Sequence, residues 1–229
     1  MNNTKFRFER ILFEDNHLII VNKNPGELSQ GDRTGHLTLS DSIKYYLKNK
    51  YNKPGNVYLG ITHRLDRPTS GIIMFCKTSK SLTRVNNMFK EKKVKKTYWA
   101  ITKKIDSNKI IRLENFLKKN EKQNKSFVTT DFKNGKKSIL NFKKIKSLDK
   151  YSLLEISLET GRHHQIRAQL SNYGYPIKGD LKYGFKRPNN DGSIHLHSRK
   201  IEFTHPVTKN KICLIACPPK DTIWNLCVK

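Results

Sequence analysis

Acidic residues are scarce in this chain. Its 229 residues hold 19 Asp and Glu against 46 Lys and Arg, a formal net charge of +27. Such a charge repels itself in the compact state and draws polyanions to the surface, so it points to nucleic acid first and to an anionic membrane second. Long apolar runs are missing too. None approaches the roughly 18 residues that a membrane span takes, which excludes a spanning segment and weakens the membrane reading. Cysteine is limited to Cys76, Cys213, Cys217 and Cys227. No two form a CxxC pair, which argues against a zinc site, and a chain of this size needs no disulfide framework. The thiols read as buried or incidental ones in a reducing compartment. No metal is expected. The opening MNNTKFRFER lacks the apolar core of a signal peptide, so the expected location is the cytoplasm. With no internal repeat and no Pro/Gly/Ser linker, residues 1–229 read as one domain with its core at about 11–216.

What is present describes a globular protein, since hydrophobic residues make up 35% of the chain and aromatic residues 10%. Lysine outnumbers arginine and asparagine is frequent, a bias that genome composition also produces. The charge therefore supports polyanion binding and nothing sharper. Ile11–Phe13 and Leu18–Val21, separated by Asp15-Asn16, read as a hairpin. Thr38-x-x-Asp41 is a capping box before Leu39, Ile43, Tyr46 and Leu47 at helical spacing. A strand at Val57–Leu59 leads into a polar turn, His63–Gly71, and a strand at Ile72–Cys76 leaves it. Ser79 caps a helix with core face Leu82, Val85 and Phe89, and Tyr98–Ile101 reads as a strand. Residues 103–150 are rich in lysine and poorly patterned, with strands near Ile110–Leu113 and Ser138–Phe142. A basic sheet edge and a long loop explain them equally well. Beyond them come a strand at Leu153–Ser157, a helix from His163, and a hairpin of Ile201–Phe203 with Lys211–Ile215. Strands with scattered helices and no βα alternation predict an α+β fold on a mixed, largely antiparallel sheet.

Three constellations offer chemistry. In His63-Arg64-Leu65-Asp66-Arg67-Pro68-Thr69-Ser70-Gly71 a carboxylate stands among two arginines and a histidine on a turn punctuated by Pro and Gly. Alone, Asp66 would read as an Asx-type turn residue. Its flanking cations favour the ionised carboxylate that a nucleophile or electrostatic catalyst requires. In Thr160-Gly161-Arg162-His163-His164-Gln165-Ile166-Arg167, Arg167 lies about 100° round the helix from Ile166, at the border of the core stripe. That position suits a partly buried guanidinium paired with a carboxylate, and equally a basic helix end touching phosphates. In Lys96-Thr97-Tyr98-Trp99-Ala100 the two rings face opposite sides of a strand, one for the core and one available to a cleft. Two other readings compete. An RNA-binding module without catalysis explains the charge but not Asp66, and a hydrolase needs paired carboxylates, with Asp180 as the second.

These stretches resemble the RluA-type RNA pseudouridine synthases. HRLDRPTSG carries the family's HRLDxxTSG in full, KKTYWA fits its K-x-Y-x-A strand, and TGRHHQIRAQLSNYGYPIKGDLKYG follows its TGRxHQIR…GxPIxGDxxYG block. LHSRKIEFTHP and EDNHLIIVNKNPG also fit, with the proline of NKNPG one place later than in the family's NKP-x-G. The resemblance implies a bent sheet flanked by helices around a central catalytic cleft, and isomerisation of uridine in ribosomal or transfer RNA without cofactor or metal. By the same resemblance, Asp66 is the catalytic aspartate, Tyr98 stacks on the flipped base and is a candidate proton acceptor, and Arg167 salt-bridges the aspartate. Arg64 fills the place the uridine leaves, and His63, Arg162 and Gln165 join it as candidate substrate-binding residues, with Gln165, His163 and Gly161 reading as structural or RNA-facing. The implied partner is an RNA stem-loop, bound by a monomer with no obligate protein partner, no membrane attachment and no room for an S4-type domain. Whether Asp66 attacks C1′ or assists a glycal-type intermediate stays open.

Overall fold

The computed structural model describes residues 8–31 and 35–228, and most of the decapeptide read above for a signal core lies outside them. In chain order the elements are β1 (Ile11–Glu14), β2 (Leu18–Lys23), α1 (Leu39–Lys50), β3 (Gly60–Ile61), β4 (Ser70–Cys76), α2 (Ser79–Lys90) and β5 (Lys95–Lys103). They continue with β6 (Ile111–Asn120), β7 (Lys125–Thr129), β8 (Lys136–Ser147), β9 (Tyr151–Leu158), α3 (Gln165–Asn172), β10 (Leu196–Thr204), β11 (Lys211–Ile215) and α4 (Thr222–Val228). The class is α+β and largely antiparallel, as expected. Two compact units form: the chain up to Val94 with Arg199–Cys217, and Lys95–Ser198 with Pro218 onward.

In the first unit β4 is the central strand, paired antiparallel with β2 and, at its end, with β3. All seven of its residues are buried. Alternate side chains feed two cores, because a strand projects successive residues to opposite faces. Ile73 and Phe75 join Ile19, Val21 and the α1 face Leu39, Ile43 and Leu47. Ile72, Met74 and Cys76 join Leu18, Ile20, Val85 of α2, and Ile201 and Phe203 of β10. The Thr38–Asp41 capping box is present on α1. Thr78, not Ser79, caps α2, its side chain accepting from Ser81 N. The expected strand at Val57–Leu59 is displaced to Gly60–Ile61; the earlier residues have no ladder partner.

The second unit is an antiparallel sheet in the order β5-β9-β8-β6-β7. The lysine-rich stretch is thus sheet, not loop. On one face Ala168 of α3 and Tyr183 pack on Leu117 with Val128. The α4 residues Trp224 and Cys227 cover Ile101 and Leu153. Elsewhere on the sheet, lysines and arginines meet carboxylates: Arg112 with Glu159, Lys137 with Glu114, and Lys143 with Glu155. The helix expected from His163 starts at Gln165, because His164 takes a left-handed conformation (φ 52°) that ends helical continuity on that side.

Candidate active site

The first unit presents His63, Arg64 and Asp66 on the segment between β3 and β4. Leu65 and Thr69 are buried, Arg64 is exposed, and Asp66 between them is half-buried. The segment is held mainly through its backbone. Asp66 O accepts from Thr69 N at 3.0 Å, closing a turn, and Ser29 Oγ donates to Leu65 O at 2.9 Å. Gly26 N donates to Arg67 O at 2.8 Å, and the Arg67 Nε returns a bond to Gly26 O at 3.0 Å. Gly71 follows at φ +112°, backbone that L side chains rarely adopt, which explains the glycine that ends the motif.

Beneath the turn lies Lys23, wholly buried at the end of β2. Its ammonium donates to Asn24 O (2.9 Å), Arg67 O (3.2 Å) and Thr69 O (2.7 Å), so all three of its protons have acceptors. Burial brings its pKa down to about 8, against the pull of Glu27 and Asp66. Sequence reasoning missed Lys23; the available signal was a lysine closing a strand that opens on the apolar run LIIV. His63 accepts the Met74 N–H at Nε2 (3.2 Å) and lies against Phe89, so it ties the segment to β4.

The second unit carries Tyr98, Arg162, Gln165 and Arg167. Arg167 is buried, and its Nε and Nη2 meet Asp180 Oδ2 and Oδ1 at 2.7 and 2.9 Å. Asp180 is just as buried, and the guanidinium lies 4.9 Å from the Tyr183 ring centre. A two-point bond of this kind fixes the plane of the guanidinium as well as its position. Gln165, read from the sequence as structural or RNA-facing, is buried and bonded inside the protein. Its Oε1 accepts from Thr160 Oγ1 and Arg162 N, and its Nε2 donates to Ile139 O. Gln165 therefore shapes the TGR loop against β8. Arg162 is exposed, its Nε bonded to Lys137 O. Tyr98 is 5% exposed on β5, and Trp99 on the opposite side packs with Ile101, Leu153 and Trp224. Among the described residues no group of three or more His, Cys, Asp or Glu side chains converges as a metal site.

The profile of a family described as RNA pseudouridylate synthase matches residues 17–172. The ribosomal large subunit pseudouridine synthase C of Buchnera aphidicola subsp. Baizongia pistaciae is 33% identical over 227 residues, covering 96% of this chain and 69% of that protein. The protein of the same name from Rickettsia conorii is 34% identical over 183 residues, 80% of this chain and 58% of that one. Among solved structures, human RNA pseudouridylate synthase domain containing 4 superposes with a TM-score of 0.78 at 22% identity, over 95% of this chain and 92% of the human one, a likeness of fold. With the profile spanning well over half of the residues and relatives above 30% identity along nearly all of them, the chain belongs to the RNA pseudouridylate synthase family.

Proposed function

We propose that this chain isomerises uridine to pseudouridine in ribosomal RNA, with Asp66 as the catalytic carboxylate. The observation that carries the reading is the complete HRLDRPTSG turn, clamped from below by Lys23 so that Asp66 stays partly open to solvent. The names of the relatives supply the substrate class. In the reaction the N1–C1′ bond breaks, the uracil turns while held, and C5 joins C1′. The C5 proton leaves and N1 gains one, so composition and redox state are unchanged and no cofactor is called for. The base must first leave its stack, at roughly a few kcal/mol, and stacking on Tyr98 returns about 1–3 kcal/mol. Arg64, exposed beside Asp66, fills the vacated position. Asp66 acts on C1′ as nucleophile or assists a glycal-type intermediate, and Arg167 supplies fixed positive charge. In this reading the chain works as a monomer in the cytoplasm.

A hydrolase with Asp180 as second carboxylate is disfavoured, because Asp180 is already bonded at both oxygens to Arg167. Tritium release from [5-³H]uridine-labelled ribosomal RNA tests the proposal. Asp66→Asn should abolish release while RNA affinity stays within about threefold, since phosphate contacts dominate binding. Appreciable release by that variant, or free uracil from the wild type, rules the reading out.

A further inference from the structure

The second unit contains a run of polar side chains, centred on the buried His195, that the reaction above does not use. Lys178 Nζ donates to Asn189 Oδ1 at 2.7 Å. An ammonium can only donate, so this contact fixes the amide and turns Asn189 Nδ2 towards His195 Nδ1, 2.9 Å away. Nδ1 is therefore the acceptor, and the ring proton sits on Nε2, which faces Asp221 Oδ2 at 3.1 Å. The other oxygen of Asp221 accepts from Ile223 N (2.8 Å) and Trp224 N (2.7 Å) and so caps α4. His195 is 3% exposed and lies 5.3 Å from the Trp224 ring. Burial lowers its pKa to about 4, against the pull of Asp221, so the ring is neutral and the donor-to-acceptor direction of the run is set.

This relay bears on Asp180 through its neighbours. The Asn189 amide lies so close over Gly179 that a Cβ there would stand 2.7 Å from Nδ2, on backbone at φ +86°. His195 N donates to Lys178 O (2.9 Å), and Lys178 N to Ile101 O (2.8 Å), which fastens the strip to β5. Two residues beyond Lys178, directly after Gly179, is Asp180, whose carboxylate holds the Arg167 fork.

We propose that His195 is a positioning residue that, by accepting from Asn189 and holding its amide over Gly179, fixes the loop carrying Asp180 and thereby orients Arg167. The proposal rests on the reading of Arg167 as part of the catalytic machinery. Three substitutions separate the links. His195→Asn keeps an oxygen where Nδ1 stood and still accepts from Asn189, His195→Gln reaches towards Asp221 instead, and His195→Leu loses both. Turnover and KM come from tritium release, and hydrogen exchange at the Arg167 Nε–H is followed by NMR on the protein alone. The Gln and Leu variants should lose about 10–100-fold in kcat with KM within about twofold. Their Arg167 exchange should quicken about tenfold, while the Asn variant stays within about threefold of wild type on both measures. Should the Leu variant not fold, the Gln and Asn pair makes the same comparison. A melting temperature lowered equally in Asn and Gln, with unequal turnover, marks positioning and not bulk stability. Equal turnover and equal exchange across the variants overturns the proposal. If the wild type releases no tritium from any RNA offered, the assigned reaction is wrong, and the Arg167 exchange rates alone decide the relay.

Discussion

The turn that carries Asp66 and the helix that carries Arg167 are held by opposite means. The turn is gripped through its backbone carbonyls by one buried ammonium, with Ser29 and Gly26 assisting. Arg167 is gripped by a side chain, Asp180, whose own loop is braced by the Lys178 ammonium, the Asn189 amide and the His195 imidazole. A backbone grip is largely indifferent to which side chains the turn displays, so the identities of Arg64 and Asp66 can be set by chemistry. A side-chain grip fixes the orientation of one group and makes it depend on every member of the set. The first arrangement concentrates risk in Lys23; the second distributes it.

Removing a partner from each grip sharpens the contrast. Asp180→Ala leaves a buried guanidinium without its two-point acceptor and should cost about 3–5 kcal/mol of stability, measured by urea unfolding of the purified protein. A loss below about 1 kcal/mol would mean that Arg167 is carried by other contacts. Lys23→Met should cost less, on the order of 2–3 kcal/mol, because the carbonyls it abandons are partly satisfied by other donors. Its turnover should nevertheless fall by about 10–100-fold, through loss of turn geometry.

The pH response of Lys23 gives a smaller but more pointed effect. Its folded pKa, about 8, lies below the ordinary lysine value of 10.5, so between those limits the folded state holds fewer protons than the unfolded one. The contribution of this group to stability therefore rises, and does not fall, as pH climbs through this window. The neutral amine has only two protons for three carbonyls, so turnover should decline above about pH 8 while the melting temperature holds, and Lys23→Met should lack that limb. Parallel loss of activity and stability would contradict the assignment. The smallest effect belongs to the β8 lysines paired with carboxylates on the sheet. Lys137→Gln and Lys143→Gln should each change RNA affinity by less than about twofold across a salt titration, since a carboxylate already faces each of them.

How far the sequence could be read follows the range of the interactions involved. Ser70–Cys76 and the Thr38–Asp41 box were legible because apolar runs and caps are local signals. Lys125–Thr129 was not, since KSFVT has one buried residue and pairs only through its edge with β6. Nor was α4, seven residues long and anchored by Trp224 and Cys227 to strands far away in the chain. The motif residues themselves were legible by resemblance, but Gln165 shows that membership of a motif does not distinguish an RNA contact from a loop brace. Lys23 escaped notice because its meaning depends on Arg67 and Thr69, 44 and 46 residues distant, and His195 because its partner Asn189 sits in an irregular loop with no local pattern.

The order in which the chain emerges during synthesis adds a constraint of timing. Ile201, Phe203 and Ala216 complete a core begun by Leu18 and Ile20, yet the whole of Lys95–Ser198 is made between them. At roughly 5–20 residues per second the ribosome leaves that half-built apolar surface waiting for several seconds. The later segment, closed except for its own short tail, can collapse in the meantime. A nascent chain stalled just short of Arg199 should therefore be a chaperone client, and release of the β10–β11 hairpin is the event that ends its dependence.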